Sequence, residues 1–167
     1  MSHIQVLTTG GTIDKVYGLN GELEVGKPAF EALIAPVLSD LTYDVKEVMA
    51  IDSLDMTDAD RAVICAAVEA SDAERVLITH GTDTMAETAA YLRDRLSSEA
   101  AQKVIVLTGA MQPASMRSTD AAYNLGAATA AVQLLPAGVH IAMSGRIFRA
   151  DDVAKDVDRG VFVERDG

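Results

Sequence analysis

Short β-rich runs separated by longer helical stretches govern what this chain can fold into. IQVLTT, YDVKEVMA, RVLIT, KVIVLT and VHIAM are each a strand in length and β-branched content, and GVFVE is a final short candidate. Helical patterns alternate with them. Pro28 is placed to start a helix in PAFEALIAPVL, and Thr57 or Asp58 to cap a second that runs to about Ala70. AETAAYLRDRL supplies a third, and DAAYNLGAATAAVQLL a fourth that stops at Pro136 and Gly138. Such alternation predicts an α/β fold: a three-layer, mostly parallel sheet with helices on both faces, flavodoxin-like in strand order, with residues 1–167 as one domain. The core is expected to be aliphatic, because there is no Trp and only three Phe and four Tyr.

Polar corners recur where these strands end. LTTGGTID (residues 7–14) places hydroxyls and glycines together, THGTDTM repeats the device after the third strand, and KVIVLTGAM after the fourth. In open α/β sheets ligands bind beyond the carboxyl ends of the strands, where strand order reverses. In a flavodoxin-like order that reversal lies between the first and third strands, so TTGGT and HGTDT would meet. Glycine permits close backbone approach, and β-branching holds each threonine in few rotamers. Gly10 to Lys27 is too long and glycine-rich for a tight turn and reads as a mobile loop or hairpin over the site, a lid.

Phosphate is a poor ligand for these corners, since TTGGTID lacks both G-x-G-x-x-G spacing and the lysine of a P-loop. A hydroxyl nucleophile suits them better if a base is within reach. Thr82 and Asp83 adjoin on the third corner, and Lys155 in ADDVAKD could reach them if the fifth strand adjoins the site. An ammonium is a poor base at neutral pH unless burial or positive charge loosens its proton, and an adjacent carboxylate does the reverse. Taken singly, each residue has a plainer role. Thr12 could close a turn, Thr82 and Asp83 could cap the helix near Met85, Ser53 could belong to an ordinary loop, and Lys155 could lie on a solvated charged face. His80 reads as a strand-end histidine without chemistry.

Twenty-five acidic against fourteen basic residues leave a net charge of −11. That charge opposes nucleic acid and anionic lipid as partners and leaves a small-molecule substrate as the simpler expectation. Cys65 is the only cysteine, so no internal disulfide forms and a small buried thiol is expected. No metal or cofactor motif is present. The opening residues lack a basic start and a long apolar segment, and no apolar run could span a bilayer, which makes a cytoplasmic protein the expectation.

TTGGTI, THGTDTMAETAAYL, TGAMQP and the DDVAK segment, in this order, resemble the amino-terminal domain of the bacterial-type L-asparaginases from about His3 to Lys155. The chain is half the usual length of that family and resembles its short-chain members. The resemblance implies hydrolysis of L-asparagine to L-aspartate and ammonia, with glutamine turned over less well and no cofactor. It implies Thr12 as nucleophile, Tyr17 assisting it, and Thr82, Asp83 and Lys155 as a second catalytic group. It further implies Ser53 on the substrate α-carboxylate, Asp83 on the α-ammonium, and Gly11 with the Thr82 N–H polarising the amide oxygen. Where many members carry Gln, this chain has Leu54, which bears on specificity. A homo-oligomer is expected. The alternatives are a small-amino-acid-binding or regulatory protein that keeps the pocket with little catalysis, and hydrolysis of an amide in a larger molecule such as a peptide or misacylated tRNA, the latter opposed by the acidic charge.

Overall fold

β-Branched runs pack best where a pleated surface is covered on both sides, and five of them here share one sheet. The computed structural model describes residues 3–165. It begins with β1 (His3–Gly10), followed by a small antiparallel hairpin of β2 (Lys15–Tyr17) and β3 (Leu23–Val25). Next come α1 (Phe30–Ile34), β4 (Thr42–Ile51), α2 (Asp58–Glu69), β5 (Arg75–Thr79), α3 (Met85–Arg95) and β6 (Val104–Thr108). The chain then forms α4 (Ala121–Leu134), β7 (Gly138–Met143), β8 (Arg146–Arg149), β9 (Ala154–Asp156) and β10 (Val161–Val163).

The main sheet has the order β4-β1-β5-β6-β7-β8. Its first five strands are parallel and β8 is antiparallel to β7. From β1 the chain steps outward to β4 and then returns past β1 to β5, so strand order reverses between β1 and β5, the flavodoxin-like arrangement expected from the sequence.

Alternation along the strands divides the core between two layers. Ile4, Val6, Leu77, Val106 and Ala142 pack with Phe30 of α1 and with Leu125, Ala128 and Val132 of α4. Leu7, Val76, Ile78, Ile105, Leu107 and Ile141 face Ile64, Cys65 and Val68 of α2 and Met85, Ala89 and Leu92 of α3. Each fully buried Leu or Ile contributes roughly 1.5–3 kcal/mol relative to exposure, so the two layers hold the strands in register with their carboxyl ends side by side. Cys65 is buried in the second layer, as expected.

Several local expectations change. The helix predicted from Pro28 starts only at Phe30 and ends at Ile34, because Pro36 has no N–H with which to continue the helical ladder. Thr57, not Asp58, caps α2, in a capping box with Asp60: the Thr57 N–H donates to Asp60 Oδ2 at 2.8 Å. Thr84 occupies the N-cap of α3, so neither Thr82 nor Asp83 caps that helix. β8 and β9 were not expected from the sequence. Among the described residues no helix is long and apolar enough to cross a membrane.

Candidate active site

The carboxyl ends of β4, β1 and β5 converge at the reversal of strand order. Gly11 follows β1 with φ +81°, and a Cβ there would fall on the backbone of Gly81, which follows β5. The two glycine corners are therefore in direct backbone contact. Gly81 in turn covers Ser53: a Cβ on Gly81 would lie 2.5 Å from Ser53 Oγ. Ser53, 1% exposed, is held from a second side by Thr84, whose N–H donates to Ser53 Oγ at 3.4 Å and whose Oγ1 donates to the Ser53 carbonyl at 2.8 Å. Gly81→Ala is expected to destabilise the fold by about 1–3 kcal/mol through overpacking. It should also displace Ser53, so that chemical denaturation and the affinity for any ligand held by Ser53 fall together.

Gly11 brings a correction. Its N–H, expected to help polarise a substrate oxygen, donates instead to the Ile51 carbonyl at 2.9 Å. The reason is the register shift between Thr8 and Gly10 against β4, which sets the Gly11 amide opposite Ile51 at the end of the sheet. What Gly11 contributes here is shape, the close backbone approach to Gly81.

Thr12 begins a short 3-10 turn, Thr12–Asp14, and is half-buried. The turn is fixed by Asp14. Its N–H donates to the Gly11 carbonyl at 3.1 Å, its carbonyl accepts from Gly26 N–H at 2.8 Å, and its Oδ1 accepts from Ala29 N–H at 2.9 Å. Asp14 thus ties the start of the β2–β3 hairpin to its end. It is 3% exposed, and burial pushes its carboxyl up to about 6 against the opposing pull of the Ala29 N–H, with Glu47 adding a further upward push. Nothing in the sequence separated this aspartate from its polar neighbours. Tyr17 stands on β2 with 73% of its surface exposed, and among the described residues no hydrogen bond links its hydroxyl to Thr12.

Lys155 reaches the opposite wall from β9, which pairs antiparallel with β10 so that Lys155 lies across from buried Phe162. Its Nζ donates to Thr82 Oγ1 at 2.9 Å and to Asp83 Oδ1 at 2.6 Å. The lysine side chain is 12% exposed, so the solvated-face reading of this charged run does not hold for Lys155. Thr82 is 5% exposed, and its oxygen accepts from Lys155, which leaves its own hydroxyl proton free for another acceptor.

His80 is fully buried between the glycine corner and Met56, with Nδ1 2.7 Å from the Gly81 carbonyl and Nε2 3.2 Å from Met56 Sδ. Burial pulls its pKa down to about 4, against the Gly81 hydrogen bond, so the ring is neutral at pH 7 and props the corner. Leu54 is 71% exposed beside Ser53. Among the described residues no group of three or more His, Cys, Asp or Glu side chains could hold a metal ion. Thr12, Ser53, Thr82, Asp83 and Lys155 therefore surround one end of the sheet. Tyr17 stands out on the hairpin.

The chain as a whole has relatives among known proteins. The family described as Asparaginase, N-terminal, matches residues 3–159. The chain is 32% identical over 165 residues to the probable periplasmic L-asparaginase of Haemophilus influenzae, covering 93% of this chain and 46% of that protein. It is 30% identical over 171 residues to the glutaminase-asparaginase of Acinetobacter glutaminasificans, covering 94% of this chain and 50% of that one. Among solved structures, the thermostable L-asparaginase of Thermococcus kodakarensis superimposes with a TM-score of 0.86 at 25% identity, over 97% of this chain and 51% of that chain. The chain thus spans about half the length of the relatives it matches. With nearly its whole length matched by the family and superimposed on such a structure, it belongs to the Asparaginase, N-terminal, family.

Proposed function

We propose that the chain is the catalytic domain of an amidohydrolase that converts L-asparagine to L-aspartate and ammonia through a threonine nucleophile. The carrying observation is the contact of Lys155 Nζ with Thr82 Oγ1 at 2.9 Å and Asp83 Oδ1 at 2.6 Å, on a corner pressed against the one that bears Thr12. Thr12 Oγ attacks the side-chain amide carbon, the C–N bond breaks, and the departing nitrogen takes a proton and leaves as ammonia. Water then attacks the acyl-enzyme and aspartate departs, so a resistant amide is opened in two easier steps. Tyr17 assists Thr12 in this reading, and the Thr82–Lys155 pair moves protons. Thr82 N–H polarises the amide oxygen, a role in which one donor is worth about 3–4 kcal/mol. Ser53 holds the α-carboxylate and Asp83 the α-ammonium, which supplies orientation to a weak nucleophile. The Leu54 side chain offers no hydrogen bond where many members carry Gln, so discrimination of L-asparagine from glutamine rests on the remaining contacts.

The test is ammonia release from L-Asn, L-Gln and D-Asn at millimolar and micromolar concentrations. L-Asn is expected to be the best substrate, with L-Gln slower. Binding of L-Asn without ammonia release would favour a binding or regulatory protein. A homo-oligomer and a cytoplasmic setting belong to the same proposal, although the Haemophilus influenzae relative is named as periplasmic. Light scattering of the purified chain tests the first.

A further inference from the structure

An ion pair that the proposed chemistry does not use joins the β2–β3 hairpin to the turn that carries Ser53. Lys15 Nζ lies 2.7 Å from Asp52 Oδ2, with side chains 22% and 27% exposed. Lys15 opens β2 just after the Thr12–Asp14 turn, and Asp52 immediately precedes Ser53. The second oxygen of Asp52 is also engaged, accepting from Leu54 N–H at 3.0 Å and so fixing the turn that presents Ser53. Burial would push the Asp52 carboxyl up, but the Lys15 ammonium and the Leu54 N–H outweigh it and hold it below the usual carboxylate range.

Among the described residues the hairpin has few other holds. Its base is fixed by Ser115 Oγ donating to the Lys15 carbonyl at 2.7 Å and by the Asp14 bonds described above. Beyond the base, Val16, Tyr17, Leu19 and Leu23 are all exposed. Ser115 and Asp14 bind main-chain groups at the hairpin base, whereas Lys15–Asp52 crosses from the hairpin to the turn that carries Ser53. An ion pair fully in solvent would contribute little, but one that is about three-quarters buried, with its carboxylate also capping a turn, can fix geometry.

We propose that Lys15 and Asp52 are positioning residues: their ion pair clamps the hairpin that carries Tyr17 to the turn that presents Ser53 and Leu54, and so sets the width of the substrate cleft. The inference rests on the amidohydrolase reading for its catalytic consequence and on geometry alone for the clamp. Loss of the clamp would let catalytic and binding groups drift, and a misplacement of about 1 Å can reduce rate by up to roughly a hundredfold.

Four variants test it: Lys15→Met, Asp52→Asn, the double variant and Lys15→Arg. Asp52→Asn keeps an acceptor for Leu54 N–H, so it removes the pair and spares the turn. Each single loss is expected to lower kcat/KM for L-Asn by about tenfold through both kcat and KM. The double variant should be no worse than either single variant, and Lys15→Arg should recover most of the activity. Amide hydrogen exchange at Gly18 and Gly26 should accelerate to the same extent in Lys15→Met, Asp52→Asn and the double variant, with the global unfolding midpoint nearly unchanged. Losses that multiply to about a hundredfold in the double variant, or an Arg variant as poor as the Met one, would overturn the proposal. If the unmodified chain releases no ammonia, the amidohydrolase reading falls by itself. Hairpin exchange then decides the clamp: acceleration retains it, and unchanged exchange removes it.

Discussion

Thr12→Ala is expected to reduce L-asparagine turnover by about 10⁴-fold or more while leaving the unfolding midpoint near that of the unmodified chain, because removal of a nucleophile disables the whole catalytic unit. The fold should tolerate it: Thr12 is half-buried, and the turn is held by the main chain and Asp14 rather than by the Thr12 hydroxyl. Lys155→Met should lower turnover by roughly 10²–10⁴-fold, the span of a general acid or base. Lys155→Arg separates base from counter-charge. It retains a cation beside Asp83, but a guanidinium does not release its proton, so a base role predicts that Lys155→Arg is as slow as the Met variant. Asp83 is 37% exposed, so loss of its partner should destabilise the fold by at most about 1 kcal/mol. Circular dichroism and thermal melts beside the ammonia assay make the distinction. An active Thr12→Ala protein would remove Thr12 from the mechanism, and an active Lys155→Met protein would mean that another base serves Thr82.

What the sequence disclosed depended on whether a feature is local or held by distant partners. IQVLTT, RVLIT and KVIVLT announce themselves because β-branched runs buried on both faces have a local signature. The alternation of elements indicated a mostly parallel sheet, and a flavodoxin-like strand order, where adopted, brings TTGGT and HGTDT together. RIFR of β8 is exposed at three of its four positions and lies at the sheet edge, where pairing with β7 rather than composition makes it a strand. β9 lies within a charged run and exists through β10, with buried Phe162 across from Lys155. That pairing turns Lys155 inward, which no local pattern could signal. The partner of the Gly11 amide, Ile51, is set by a register shift between strands distant in sequence, which no local pattern signals. Asp14 and the Lys15–Asp52 pair were hidden for a related reason. A carboxylate in a polar, glycine-rich stretch reads as solvated until the hairpin folds back over it.

Asp14→Asn is expected to make the protein more stable at pH 7.5 by roughly 2 kcal/mol and to leave stability at pH 4 unchanged. Asp14 has its carboxyl raised from 3.8 to about 6, so between those values the folded chain binds a proton that the unfolded chain does not. Stability therefore falls as pH rises through that window, by roughly 2–3 kcal/mol, and stays lower above it. Asn accepts the same Ala29 N–H bond without ionising, which removes the penalty. His80 works in the opposite sense. Its pKa is lowered from 6.5 to about 4, so here the unfolded chain binds the extra proton, and stability falls as pH drops through that window by roughly 3 kcal/mol. Between about pH 4 and 6 the two slopes oppose each other, and the unmodified chain should show a nearly flat profile. Aspartates held below their ordinary value, such as Asp52, lose their contribution mainly below about pH 4, and Glu69, whose ordinary value is 4.5, begins to lose its own only at the acid end of the window. Asp14→Asn should therefore uncover the acid limb that belongs to His80. Urea unfolding at pH 4, 5, 6 and 7.5 checks both halves. If the variant gains nothing at pH 7.5, the buried carboxyl is relieved by water or a counter-charge; if its profile stays flat toward pH 4, the His80 ring is accommodated as a cation beside Gly81.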